Sequence, residues 1–194
     1  MDFALSEDQE QLRAAVIDFS RRELNQGVIE RDHDGVFSQE GWEKCARMEL
    51  LALPFEERFG GGGFDFLTTV TTIEAFAYGC TDAGLVHAVS ATVLAGMLVQ
   101  EFGTEDQKTK YLPALCNGSI LAGQAITEPD VGSDAMAMRA RAEQSGDAWI
   151  INGTKTFISN APIADLLVVF AVTNPARKAM GALLPFSWRV THPG

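Results

Sequence analysis

Two short runs gather hydroxyls, amides, carboxylates and glycine at close spacing. The first is Thr127-Glu128-Pro129-Asp130-Val131-Gly132-Ser133-Asp134, and the second is Asn152-Gly153-Thr154-Lys155-Thr156-Phe157-Ile158-Ser159-Asn160. Such runs let small hydroxyls and bare backbone N–H groups converge on the polar edge of a ligand without steric cost. From spacing alone, the first run reads equally as a turn with an Asp/Ser-capped exit. His87 stands alone in an apolar stretch and reads as a core or interface histidine rather than a ligand or base. The glycine run from Gly60 to Gly63 ends without the Gly-Lys-Ser/Thr of a phosphate loop and follows no strand with Gly-x-Gly-x-x-Gly. It is expected as a flexible loop between helices. Cys45, Cys80 and Cys116 are odd in number and far apart, and no Cys-x-x-Cys or His pair offers metal-ligand spacing. They are expected as buried thiols in a reducing cytosol.

The elements that must position these runs can be read in order. Ser6 to Gln9 is a capping box, and Leu12, Ala15, Val16 and Phe19 recur with helical period. Glu30 to Phe37 is polar and turn-rich, with Asp34-Gly35 as a breaker. Ser38 caps a short helix that runs to about Met48. Phe66 to Tyr78 reads as a helix with Phe66, Val70, Ile73 and Ala77 on one face. Ala83 to Phe102 is apolar nearly all round, the pattern of a helix buried on most sides. Thr104 to Gln107 is a second capping box, opening a helix expected to stop at Leu112 before Pro113. Leu121 to Thr127 is a short apolar stretch, and Arg139 to Glu143 and Ala148 to Ile151 flank a hairpin turn. Asn152-Gly153 marks another turn, and Leu166 to Val172 reads as a buried strand. Helices first and strands after give an α+β arrangement of two domains.

A length of 194 residues with 46% hydrophobic and 21% charged residues fits an ordinary globular composition. A net charge of −11 and a pI near 4.6 argue against general nucleic-acid binding, which needs basic patches. No uninterrupted run of 18 apolar residues occurs, so no membrane span is expected. The opening Met-Asp-Phe-Ala-Leu-Ser-Glu lacks the layout of a signal or transit peptide, and a cytoplasmic location is expected.

Taken together, Gln124 to Asp134 and the later run ending in an aromatic-Ile-Ser-Asn unit resemble the flavin-binding middle domain of the acyl-CoA dehydrogenases. The stretch Gly103-Thr104-Glu105-x-Gln107-Lys108-x-x-Tyr111-Leu112-Pro113 is similar to a recurrent stretch of that family's helical domain. The resemblance implies a helical domain over 1–118 and an incomplete β-barrel-like middle domain over 119–194, with FAD as cofactor. It places Gln124, Ile126 and Thr127 along the flavin, with Thr127 bonding the pyrimidine edge. It places Gly132 and Ser133 near the diphosphate, with Ser133 also meeting the acyl-CoA. Phe157 stands where the family commonly has a Trp packed against the ring, and Ser159 where a common Thr approaches the reactive ring nitrogen. Gln124 departs from a frequent aromatic. Glu128 and Asp134 read as structural, because the family carries its base elsewhere.

The family's reaction is α,β-dehydrogenation of an acyl thioester, carried on coenzyme A or an acyl carrier protein. A glutamate removes the α-proton while the β-hydrogen leaves as hydride. The resemblance puts that glutamate past residue 194, in a C-terminal helical domain that also completes the flavin site and the subunit interface of the homo-oligomer. Losing a general base costs about 10²–10⁴-fold in rate. The chain is therefore expected as an N-terminal part of a lipid-metabolism flavoprotein, inactive alone, or as a non-catalytic pseudoenzyme fragment. Leu184 to Gly194 departs from the family's usual Ser-Ala-Phe-Leu-Val-x-Arg-Asp-Thr-Pro-Gly, and permissible codons in a neighbouring frame restore most of it. A frame slip near Leu183 is the expectation, and a nucleotide sequence that cannot be read so would remove it. Pro185 and Trp188 also make a poor strand interior.

Overall fold

The computed structural model describes residues 4–174 and the backbone of a strand over Leu183–Arg189. Six helices come first: α1 Glu7–Glu23, α2 Val28–Asp34, α3 Gln39–Arg47, α4 Phe66–Gly79, α5 Ala83–Phe102 and α6 Glu105–Cys116. Strands follow: β1 Ala122–Ala125, β2 Arg141–Ser145, β3 Ala148–Asn152, β4 Leu166–Val172 and β5 Leu183–Arg189. The order is the α+β arrangement that the sequence implies.

Helix boundaries follow local chemistry. The capping boxes Ser6/Gln9 and Thr104/Gln107 both form, each satisfying two orphan N–H groups. Asp65 and Asp82 cap α4 and α5 by accepting from the N–H groups of Thr68 and Leu85. Three expectations change. Part of the polar stretch read as turns forms α2, closed by Gly35 at φ 65°. Helix α6 runs through Pro113 to Cys116, with one N–H missing from its ladder at the proline. On α4 the buried face is Thr68, Thr69, Thr72, Ala75, Phe76 and Gly79, while Phe66 and Val70 are exposed. Thr72 bonds back to the Thr68 carbonyl at 2.7 Å and the Thr68 hydroxyl accepts from Gln9 Nε2 at 2.9 Å, so polar residues sit on the inner face and hydropathy alone misplaces it.

The glycine loop is held, not flexible. Gly61, Gly62 and Gly63 donate to the carbonyls of Glu56, Ala52 and Phe55. A Cβ on Gly61 would lie 2.0 Å from the Phe55 carbonyl oxygen, so a side chain there has no room.

Two apolar clusters form the centre. One joins Val16, Leu24, Trp42, Phe76, Leu85 and Val89 within the helices. The other joins Phe55, Val99, Leu112 and Leu115 to the strand residues Ala122, Leu166 and Val168, so helices and sheet share a core. By length and composition α5 is apolar enough to cross a membrane, and half of that apolar window is buried within the protein, as a core helix requires. The three cysteines are buried and unpaired, and burial pushes the Cys45 thiol up to about 12.

In the sheet, β4 is central. It pairs antiparallel with β5 along one edge, while β1 and then β2 pair parallel on the other. Strands β2 and β3 form the expected hairpin, with Ser145 opposite Ala148. Pro185 and Trp188, expected to make a poor strand interior, both lie within β5. Among the described residues β5 pairs only with β4, and an edge strand can turn a proline's missing N–H outward.

Candidate functional site

The site is built where β1 docks on α5. The buried Thr92 hydroxyl donates to the Ala122 carbonyl at 3.1 Å and accepts the Ala122 N–H at 3.2 Å, fixing strand to helix. The Asn160 side-chain amide donates to the carbonyls of Ala88 at 3.0 Å and Ala122 at 2.8 Å. One residue thus pins the second run to both elements. Phe157 and Asn160 take left-handed conformations, φ 55° and 64°, on either side of Ser159. A bulky residue in that region costs about 1–3 kcal/mol, which the anchoring of Asn160 must offset. The result is a tight turn that leaves Phe157 91% exposed. A Cβ on Gly123 would sit 2.4 Å from the Ser159 carbonyl oxygen, so only glycine lets β1 pass this close.

The first run is clamped to the second. Thr156 donates its N–H to the Thr127 carbonyl at 3.0 Å. Lys155 Nζ donates to the Ile126 carbonyl at 2.8 Å and to Glu128 Oε1 at 2.9 Å. Both partners of that ion pair are buried, with side-chain exposures of 11% and 6%. Glu128 also accepts the backbone N–H groups of Arg139 at 2.7 Å and Ala140 at 2.8 Å. Burial alone would raise its carboxyl pKa, but the two N–H donors and the Lys155 ammonium together hold it below the usual range. A carboxylate so fully engaged is a clamp and a poor proton acceptor, which agrees with its structural reading. Asp134 is exposed, and its carbonyl opens the short helical turn at Ala135–Ala137.

Of the residues expected at the site, Gln124, Ile126 and Thr127 lie at the end of β1 beside the turn that carries Phe157 and Ser159. Gly132 and Ser133 lie apart on an exposed loop beyond the Glu128–Val131 bridge. Lys155 and Asn160 were not singled out, although both stand inside the second run. The signal was present: a lysine and a glutamate in two polar runs that must meet. Of the two readings of His87, core or interface, the core one fails: it is exposed on α5, and its Nε2 shares a 2.6 Å hydrogen bond with Ser159 Oγ, as an interface histidine would. A helix apolar on nearly every face gives no sequence sign of which side is open.

The donor set suits a flat aromatic ligand with a polar edge. Among the described residues the hydroxyls of Thr127 and Ser133 make no hydrogen bond within the chain, Phe157 offers an open ring, and Gly132 has nothing within 4 Å of an added Cβ. No group of three or more His, Cys, Asp or Glu could hold a metal among those residues. The domain models agree with this arrangement. That of the acyl-CoA dehydrogenase N-terminal domain matches residues 6–119, and that of the family's middle domain matches residues 123–187. The chain belongs to the acyl-CoA dehydrogenase family. It is 34% identical over 181 residues to the short-chain-specific acyl-CoA dehydrogenase of Clostridium acetobutylicum, covering 93% of this chain and 48% of that protein. It is 37% identical over 182 residues to an L-prolyl-[peptidyl-carrier protein] dehydrogenase of Serratia, covering 93% and 47%. A solved FAD complex of PigA superposes with a TM-score of 0.91 at 35% identity, covering 100% of this chain and 51% of that one. The chain thus spans about half the length of the acyl-CoA dehydrogenase relatives it matches. Within the family's two matched domains, both polar runs fall in the middle domain, while His87 and Thr92 come from the helical one.

Proposed function

We propose that these residues bind FAD and hold an acyl thioester beside it, for the α,β-dehydrogenation typical of the family. The observation that carries this reading is the clamp that brings the two runs together, through Thr127–Thr156, Glu128–Lys155 and Gly123–Ser159. FAD, when bound, supplies the hydride acceptor. The chain's part is placement. The Thr127 hydroxyl meets a polar ring edge, Phe157 covers an apolar face, and Ser133 on its open loop takes a phosphate or the carried acyl group. The relatives' names divide between coenzyme A and carrier-protein thioesters, and either carrier fits this reading.

The visible absorption spectrum of the purified chain with added FAD tests the proposal. A retained, shifted flavin band supports it, and Thr127→Val is then expected to weaken binding about 2- to 10-fold, the worth of one hydrogen bond. A folded chain that leaves FAD free would support a non-catalytic role instead. Anaerobic bleaching on adding an acyl-CoA would show that a proton acceptor is also present.

A further inference from the structure

Ser159 is the hydroxyl expected nearest the reactive part of the flavin, and it does not stand alone. Its partner is His87, from the other domain, at 2.6 Å. We infer that His87 is a positioning residue that decides whether the Ser159 hydroxyl turns its proton or its lone pair toward the cofactor; this rests on the flavin reading above. The chemistry is that of a two-faced donor and acceptor. With Nε2 bare, the imidazole accepts the Ser159 O–H, and the serine oxygen is left facing outward as an acceptor. With Nε2 protonated, the imidazole donates to that oxygen, and the O–H is released to donate outward. Among the described residues Nδ1 has no hydrogen-bond partner, so nothing in the fold fixes the tautomer. The backbone around Ser159, by contrast, is fixed. Asn160 is tied to Ala88, one residue after His87, and Gly123 packs on the Ser159 carbonyl. The direction of the hydroxyl is then set by the partner recorded for it, His87.

The test is FAD binding by the full chain, read by titration and by the position of the bound flavin's visible band. His87→Leu is expected to bind FAD about 3- to 10-fold more weakly and to shift the band, the loss of one hydrogen bond. His87→Gln, whose amide reaches the place of Nε2, is expected to restore both. In a Ser159→Ala background, His87→Leu is expected to have no further effect. The melting temperature of the FAD-free chain is expected to fall by no more than the loss of one exposed hydrogen bond accounts for, since both replacements are good helix formers. If the wild-type chain binds FAD while His87→Leu matches it in affinity and band, the positioning role is overturned and the flavin reading stands. The role is equally overturned if His87→Gln is as impaired as His87→Leu, or if the loss persists in full without Ser159. A wild-type chain that binds no FAD overturns the flavin reading itself, a result none of the variants can mimic.

Discussion

The helical half and the sheet half are held together by different physics. In the helical half, Trp42, Phe55, Phe76, Leu85 and Leu112 are fully buried, and apolar burial supplies the stability. In the sheet, the small third cluster is Ala140, Ala142 and Ala171, which bury little area. What fixes the sheet's loops is polar: the Glu128–Lys155 pair, the Asn160 amide and the Thr92 hydroxyl. An apolar core tolerates drift of a few tenths of an ångström, whereas a hydrogen-bonded clamp fixes direction. The site lies on the second kind of scaffold and leans on the first through α5.

Breaking the clamp should therefore give the largest effect, and a local one. Lys155→Met leaves Glu128 buried without its counter-ion, at a cost of about 3–5 kcal/mol. Hydrogen exchange is expected to speed at Arg139, Ala140 and Thr156 while α1 and α4 keep their protection. Equal loss in both halves would erase the distinction. Acid sharpens the same point. The Glu128 carboxyl is held low in the folded chain by the two backbone N–H donors and Lys155, against its burial. Its contribution is fully present above the unfolded carboxyl pKa of about 4.3 and is lost as pH falls through the lower folded value. Glu128→Gln should flatten that acid slope in the sheet amides alone.

Leu112→Ala works from the other side. Leu112 is fully buried in the cluster that also contains Ala122, Leu166 and Val168. Truncation should cost about 2–5 kcal/mol. Because that cluster is shared, protection should fall in helices and sheet alike, and the urea midpoint should drop in a single transition. A biphasic transition would mean that the halves unfold separately despite their common core.

This contrast also marks what could be read beforehand. The helical half was legible because its signals are local: Ser6/Gln9 and Thr104/Gln107 announce their helices within four residues. β4 was legible because a central strand is apolar on both faces. The buried face of α4 was not, because Thr72 hides its polarity in a back-bond to its own helix and Thr68 in a bond accepted from the Gln9 side chain. The site's residue types were legible from two polar runs, but its construction was not. Lys155 to Glu128 spans 27 positions and His87 to Ser159 spans 72, and no local pattern encodes such pairings.

Asn160→Ala probes the junction between the halves. It strips a donor from the Ala88 carbonyl and one of two side-chain donors from the Ala122 carbonyl, which keeps Thr92, at a cost of about 0.5–1.5 kcal/mol for each bond. It also frees a turn whose Phe157 is held at positive φ. The expected signature is uneven: a modest fall in global stability, but a larger loss of FAD affinity than Thr127→Val gives, because Phe157 and Ser159 move together. Loss of stability with unchanged FAD affinity would place the ligand away from the turn.

Thr104→Ala should give the smallest effect and the cleanest control. Its hydroxyl accepts the Gln107 N–H at 3.2 Å, while the Gln107 side chain accepts the Thr104 N–H at 2.9 Å. Removing an N-cap of this kind costs about 0.5–2 kcal/mol. The loss falls on α6, whose Leu112 and Leu115 belong to the shared core, yet no contact of the clamp involves that helix end. Melting temperature should fall while FAD affinity holds, provided the chain stays folded at the working temperature. If so small a change in an apolar-packed element lowered FAD affinity as much as Asn160→Ala, the site would depend on overall stability and not on its polar clamp, and the division drawn between the two halves would fail.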